Sequence, residues 1–301
     1  MPNDSNQQVN DSKPRVNDSN QRVSDFNQRV IDEFRANKGR LTGHFAQARL
    51  LLLTTTGART GTPHTTPVGY LPDGGDRVLV IASAGGADKH PDWYVNLRAD
   101  PQVTVESGAF TYPAQAVVLT GEERERAWAR AVEADDGWAA YQRKTTRTIP
   151  VVALHQIANG GPPNVNASSP AEAIKVVHDA FRRELALIRQ EMTAGGPTLG
   201  AQLRVNCLTF CQGLHHHHSG EDLALFPFVE DRHPSAGPAL RRLREEHDRI
   251  ATLVAELRRA VTAPAGDPAA ARSEVERLTL DLEAHLTYEE EQLIPLLDAS
   301  A

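Results

Sequence analysis

The sequence predicts an α+β multidomain chain: an N-terminal barrel or sandwich of short strands, then an all-α, up-down four-helix bundle. Three observations predict it. The 301 residues are enough for two separate cores. Between residues 35 and 157, short apolar or alternating runs end in Gly-rich turns, with few helical stretches between them. From residue 170 onward the chain reads as helical to its end, broken only by Gly195-Gly196-Pro197, His233-Pro234-Ser235 and Pro264-Ala265-Gly266-Asp267-Pro268.

Residues 3–30 are four copies of a seven-residue phrase, such as Asn17-Asp18-Ser19-Asn20-Gln21-Arg22-Val23. The period suits a coiled coil, but most copies carry one apolar residue where a seam needs two. Asn, Asp and Ser are also poor helix formers. Residues 1–34 are therefore expected to be a low-complexity tail, disordered at first and entering a helix through Ile31-Asp32-Glu33-Phe34. Strands are expected at 50–56, 77–82, 103–106, 114–119 and 149–154, with helices over 92–97 and 121–141. Residues 158–169 are a linker by composition. Four helices follow at about 170–193, 199–230, 236–263 and 268–298, and their short connections imply antiparallel neighbours.

A net charge of −7 gives no reason to expect nucleic acid as a partner. The polar N-terminus has no apolar stretch like that of a signal peptide, and no uninterrupted apolar run is long enough to cross a bilayer. Two cysteines, Cys207 and Cys211, sit one helical turn apart, a spacing that suits neither a disulfide framework nor a zinc ribbon. A reducing, cytoplasmic setting is the simplest expectation.

The last third of the chain repeats a phrase. His217 is followed four residues later by Glu221 and then by Leu225-Phe226-Pro227. His285 is followed four residues later by Glu289 and then by Leu293-Ile294-Pro295. A lone histidine precedes each copy, His178 and His247. Residues i and i+4 share a helix face, so each phrase aims an imidazole and a carboxylate into one space. Burying such groups together is costly unless they are paired or bind metal, and hard iron or manganese ions suit mixed nitrogen and oxygen donors. In His215-His216-His217-His218, only His217 keeps the spacing to Glu221, so the other three are expected to face solvent or lie outside the ligand set. Cys207 and Cys211 are expected to serve as small core side chains.

Residues 170–298 thus resemble a hemerythrin-like, HHE cation-binding domain over all four helices. The resemblance implies two iron ions held by His178, His217, Glu221, His247, His285 and Glu289, with Glu221 and Glu289 bridging. Glu221, Glu289 and His247 would then stand where the reaction occurs. Oxygen-carrying hemerythrins place a second histidine one turn after that of the third helix, where this chain has Ala251. The expected consequence is an iron with one protein ligand fewer, open to substrate, with Glu246 or Asp248 able to fill the gap or act from outside it.

In the first half, Thr54-Thr55-Thr56-Gly57-Ala58-Arg59-Thr60-Gly61 and Ser83-Ala84-Gly85-Gly86-Ala87-Asp88-Lys89 each end a strand in a turn holding Gly, hydroxyls and a cation. Such turns offer backbone N–H groups and positive charge to an anion. Pro91-Asp92-Trp93-Tyr94-Val95-Asn96-Leu97 adds aromatic surface and an amide. With these phrases and the stretch from Tyr141-Gln142 to Arg147-Thr148-Ile149-Pro150-Val151, residues 45–157 resemble the deazaflavin-dependent nitroreductase family. The resemblance implies an FMN-binding split-barrel-like fold, a split β-barrel binding the 8-hydroxy-5-deazaflavin coenzyme F420, with FMN the less favoured cofactor. Arg59, Thr60 and Lys89 would hold its phosphate and glutamate tail; Ser83, Ala84, Gly85 and Gly86 would line its ring. Trp93, Tyr94, Asn96 and Tyr141 would shape the pocket. His64 departs from the family, which usually has Arg at that place.

A deazaflavin delivers hydride and a di-iron centre reacts with molecular oxygen, so the expected function is a two-domain oxidoreductase acting on a small organic molecule, nitrogen-containing substrates included. Two other readings stand beside it: an iron or oxygen sensor in which the bundle regulates the barrel, and a di-iron oxidase whose barrel only dimerises. A homodimer through the barrel is expected by analogy of fold.

Overall fold

The computed structural model describes residues 15–157, 164–194, 198–263 and 267–299. The early repeats, on which the expected disorder falls, and the first half of the linker, 158–163, lie outside the described residues. Helix α1 (Arg15–Ala36) begins earlier than expected and takes in the third and fourth repeats. Its C-terminal end is the anchor: Val30, Ile31 and Phe34 are buried with Leu41 and Leu52. Once a helix is nucleated, each added residue gains a hydrogen bond, so weak formers can extend it.

The first half is a closed barrel. Strands β1 (Leu50–Thr56), β2 (Pro63–Pro72), β3 (Arg77–Ile81), β4 (Gln102–Ser107), β5 (Phe110–Val118) and β6 (Val151–Gln156) run in the order β4-β1-β2-β3-β6-β5, and β5 pairs back onto β4. Every pairing is antiparallel. The unbroken leucine run of β1 follows from the two-residue period of a strand. Leu51 and Leu53 point into the barrel with Val80, Val105 and Leu154, while Leu52 points outward and is covered by α1. Strand β2 was not expected, because Pro63, Pro67, Gly69 and Pro72 read as breakers. Only Tyr70–Pro72 pairs with β3, so the N–H that Pro67 lacks costs nothing on that edge.

Helix α2 (Asp92–Ala99) closes one barrel end. The single helix expected over 121–141 is two, α3 (Gly121–Ala134) and α4 (Gly137–Arg143), broken at Asp135-Asp136. A two-residue strand, β7 (Asn164–Val165), pairs with the start of β5, so part of the linker is tied to the barrel.

The second half is four antiparallel rods: α5 (Pro170–Ala194), α6 (Ala201–Gly220) continued by α7 (Phe226–Arg232), α8 (Gly237–Thr262) and α9 (Pro268–Asp298). Between α6 and α7 the chain makes a π-turn, Glu221–Leu225. Two apolar clusters fill the interior. One contains Ile188, Leu214, Ile250 and Leu286; the other contains Ile174, Phe226, Leu243 and Leu293. Along α5 and α8 the second cluster comes first, and along α6–α7 and α9 the first does, which is the signature of up-down packing. The histidines and glutamates of the repeated phrase fall between the clusters on every rod.

The two halves are joined by polar contacts. Arg49, just before β1, forms ion pairs with Glu184 (2.7 Å) and Glu191 on α5. Arg183 donates to the carbonyls of Gly39 (2.6 Å) and Ala48 (3.0 Å). Gln202 donates to the Pro72 carbonyl (2.6 Å), and Glu133 accepts from the Ala201 N–H (2.9 Å).

Candidate metal centre and cofactor face

The polar layer of the bundle gathers seven donor residues. His178 comes from α5, His217 and His218 from the last turn of α6, Glu221 from the π-turn, His247 from α8, and His285 and Glu289 from α9. Ligand atoms of His178, His217, Glu221 and Glu289 lie within 4.8 Å of one another, and so do those of His218, His247 and His285. The carboxylates stand between the groups. Glu221 is 3.2 Å from His217 Nε2 and 3.6 Å from His247 Nε2. Glu289 is 3.5 Å from His178 Nε2 and 3.6 Å from His285 Nε2. All six residues expected from sequence are therefore brought together.

His218 corrects the expectation that it faces solvent. It is buried, and its ring stacks on His247 with centroids 4.1 Å apart and planes 10° from parallel. Ala251 is exposed and turned away from the layer, so the substitution there opens no vacancy. The fifth imidazole is supplied by α6 instead of α8. Adjacent residues are about 100° apart on a helix, and an interior face wider than that admits both His217 and His218. His215 and His216 are exposed, as expected.

Three of the imidazoles have a carboxylate on the outer nitrogen. His178 Nδ1 is 2.9 Å from Glu290, His247 Nδ1 is 3.0 Å from Asp222, and His285 Nδ1 is 3.1 Å from Glu246. A carboxylate there holds the proton on Nδ1 and turns a bare Nε2 inward. Arg182 and Arg242 in turn donate to Glu290 (2.7 Å) and Glu246 (2.9 Å). Glu246 thus acts from outside the layer, on His285 rather than His247; Asp248 is exposed.

Burial dominates the titration of the layer. It drives His217 down to about 3, helped by His178, and lowers His218 and His285 as well. For His178 burial is outweighed by Glu289 and Glu290, which raise it. Burial together with neighbouring Glu289 lifts Glu221 well above the carboxylate range, while Glu289 is lowered because His178 and the other imidazoles outweigh its burial. The inner faces have no other partner. Nε2 of all five histidines and both oxygens of Glu221 and Glu289 are buried without a hydrogen bond. Each such atom costs about 1–3 kcal/mol, so nine of them converging in one layer fit a pair of cations rather than a closed polar network.

The barrel turns lie at the opposite end of the strands. β1 and β3 are parallel to each other, so the turns after Thr56 and Ile81 emerge together, beside α2. The bundle packs against the other end, at Arg49, Leu50 and Pro72. A seven-residue strand spans about 20 Å, so these turns and the donor layer do not touch within one chain.

Arg59, Thr60, Lys89, Ala84 and Gly85 are exposed at this end, and Ser83 and Tyr141 are half-buried. Ser83 is right-handed and Ala84 left-handed (φ 49°), a step that aims successive N–H groups the same way. A left-handed alanine costs about 1–3 kcal/mol and marks functional turns. Gly86 (φ 85°) is packed so closely that a Cβ would lie 2.8 Å from the Tyr141 carbonyl. Trp93 and Tyr94 are in the barrel core, not on a pocket surface. Asn96 is also used internally, accepting from Ala58 N–H (3.0 Å) and donating to Thr55 (3.1 Å). These three build the turn rather than line it. His64 lies 3.2 Å from the Thr60 hydroxyl, folded into its own turn. Sequence reasoning missed Arg147 as a site residue. It donates to the carbonyls of Ala82 (3.0 Å), Ser83 (2.6 Å) and Ala87 (2.8 Å) and so fixes the Ser83 turn. Its place in the Arg147-Thr148-Ile149-Pro150 phrase was the available signal.

The fold and the donor layer define a cofactor-type barrel fused to a cation-binding bundle. Residues 27–156 match the family described as F420H(2)-dependent quinone reductase, and residues 169–297 match the hemerythrin HHE cation binding domain. An F420H(2)-dependent quinone reductase of Mycobacterium tuberculosis is 38% identical over 125 residues, covering 40% of this chain and 83% of that protein. Among solved structures, an F420-H2 dependent reductase is 42% identical over 36% of this chain and 94% of its own, with a TM-score of 0.33. Another, described as a domain-swapped dimer, is 36% identical over 46% of this chain and 99% of its own, with a TM-score of 0.35. The chain belongs to the F420H(2)-dependent quinone reductase family through its barrel and carries a hemerythrin HHE domain as its second half.

Proposed function

We propose that this chain is a two-centre oxidoreductase. Its barrel uses a reduced deazaflavin to reduce a quinone-type acceptor, and its bundle holds two iron ions that act with molecular oxygen on a small organic molecule, nitrogen-containing ones included. The observation that carries the bundle half is the set of nine buried donor atoms left without hydrogen bonds and aimed at one layer. His178 and His217 are assigned to one ion, and His218, His247 and His285 to the other. Glu221 and Glu289 would supply carboxylate oxygens to the pair. A bound iron pair would supply the oxygen chemistry; the chain supplies inward-facing imidazole nitrogens, fixed ring orientations and a buried interior.

For the barrel half, Arg59 and Lys89 are assigned to the anionic tail of the deazaflavin, and the Ser83–Gly86 turn, held by Arg147, to its ring. FMN is the less favoured occupant. The names of the relatives support the reduced deazaflavin and the quinone-type acceptor. The separation of the two ends favours exchange through a diffusing product or a second chain over direct transfer. A cytoplasmic homodimer is the setting proposed for both. Two free, buried thiols support a reducing compartment, and no described helix is long and apolar enough to cross a membrane.

Elemental analysis is expected to find two iron ions per chain. Oxygen uptake by the iron-loaded protein is then measured with and without reduced deazaflavin. No uptake in either condition rejects the oxygen half. Deazaflavin affinity unchanged in Arg59→Ala and Lys89→Ala rejects the assignment of the tail.

A further inference from the structure

Where barrel and bundle meet they form a cavity of about 690 Å³ that is open on one side. It lies at the barrel end away from the cofactor turns, and its walls come from both halves: Leu50 and Val78 from the barrel, Val176, Phe181 and Leu187 from α5. Neither half alone has it. Packed interiors rarely leave spaces of this size, and ligand sites fall within this range of volume.

The charge in this chamber is unbalanced in one place. Of its lining cations, Lys38 pairs with Glu172, Arg40 with Asp179, and Arg49 with Glu184 and Glu191. Arg183 spends two donors on backbone carbonyls and has no carboxylate partner among the described residues. A guanidinium carries five N–H donors and a permanent charge, so Arg183 still offers a positive, bidentate pole inside a mainly apolar space. At its other end one side chain separates the chamber from the donor layer. The Phe181 ring, part of the wall, lies 5.1 Å from the ring of His217. His217 is the least buried of the five imidazoles, with 13% of its side chain exposed. Asn37, Arg40 and Thr42 at the rim are exposed, which gives a ligand a way in from solvent.

We propose that this chamber is a binding site for a hydrophobic organic acid of two or three rings, or the equivalent chain. The acid group pairs with Arg183, and the apolar body lies along Leu50, Val78 and Val176 with its far end against Phe181. The site belongs to the fusion, because it needs both walls. It is separate from the cofactor turns and does not require that metal be bound.

The test is a fluorescence titration of the full-length protein with 8-anilinonaphthalene-1-sulfonate, an anionic aromatic probe, followed by displacement with 2-naphthoate or its neutral amide. One saturable site is expected, with the acid displacing the probe at least tenfold better than the amide. Arg183→Met is expected to abolish that preference, and Ala180→Trp, which places bulk in the chamber, to weaken probe binding tenfold or more. The acid-against-amide comparison uses the unaltered protein and needs no variant to fold. Absence of saturable binding, equal displacement by acid and amide, or unaltered probe binding in a folded Ala180→Trp protein overturns the proposal. Since the titration does not depend on iron content or turnover, its failure is distinct from failure of the two-centre reading.

Discussion

His218 is the residue on which the bundle's chemistry turns. With it the second group has three buried imidazoles, His218 stacked on His247 and edge-on to His285; without it only His247 and His285 would supply nitrogen there. His218→Ala is expected to lower iron from two ions per chain to about one, while His216→Ala, on an exposed neighbour, leaves it unchanged. Elemental analysis of both variants checks this, and equal iron in the two removes His218 from the ligand set. The outer carboxylates act more gently. Glu290→Gln or Asp222→Asn keeps the shape but loosens an imidazole, a change that typically costs about 10–100-fold in metal affinity; competition against a chelator measures it. The thiols are a third residue-scale case. Burial raises Cys207 and lifts Cys211 to about 12, and the side chains are 0% and 1% exposed. A raised pKa keeps a thiol protonated and unreactive until pH approaches that value, so a thiol-specific reagent at pH 8 is expected to find no reactive thiol in the native protein and two after unfolding. Much of this was legible in the sequence. The paired His-x-x-x-Glu phrases found four of the seven donors, because i and i+4 share a face whatever the tertiary context, and the lone histidines that precede them gave two more. His218 was hidden because a rule of one inward residue per turn fails where the interior face of a helix is wide enough to take two adjacent residues. Trp93, Tyr94 and Asn96 were placed near the right turn but given the wrong job, since a linear motif does not distinguish the residues that build a turn from those that face out of it.

At the scale of elements, the π-turn Glu221–Leu225 is where local backbone and chemistry meet. It carries one residue more than a regular α-turn, so it can bring Glu221 inward and Asp222 to His247 while α7 stays in register with the apolar cluster at Phe226 and Val229. Leu223 within it is 82% exposed, so its side chain contributes little. Leu223→Ala is expected to change stability by no more than about 0.5 kcal/mol. Deleting Leu223 is expected to restore a regular turn and keep the helix content, yet to weaken metal binding at least as much as Asp222→Asn. Circular dichroism and chelator competition together read this out; unaltered metal affinity in a folded deletion variant shows that the extra residue has no such role. The four helices and their breaks were legible from Gly and Pro punctuation, and the π-turn was not, because its one-residue difference is smaller than the uncertainty of any boundary drawn from sequence. Strand β2 was missed for the opposite reason. Its prolines read as strong stop signals, and only the pairing pattern shows that Pro67 lies clear of the segment bonded to β3.

On the scale of the whole molecule, the sequence marked two domains with a linker at 158–169 between them, and the structure shows a joined pair. The joint is built on Arg49, whose side chain is 9% exposed and pairs with Glu184 and Glu191 on α5. These partners lie 135 and 142 residues away along the chain, so no local pattern announces them. A buried cation held by two carboxylates is costly to break from one side, typically about 3–5 kcal/mol. Here the glutamates are 25% and 34% exposed, so water takes up part of the loss and a value nearer 1–3 kcal/mol is expected. That loss falls on the interface, since Arg49, Glu184 and Glu191 belong to neither apolar core. Arg49→Met, which keeps the stem and removes the charge, is therefore expected to uncouple the halves. Calorimetry of the native protein should show barrel and bundle unfolding in one transition, and the variant should split it into two, with metal content retained. A single transition at a lower temperature would mean that other contacts, among them Lys38 to Glu172, Arg40 to Asp179, Gln202 to Pro72 and Arg183 to Gly39 and Ala48, suffice to bind the halves, and that Arg49 contributes strength to the joint without holding it shut.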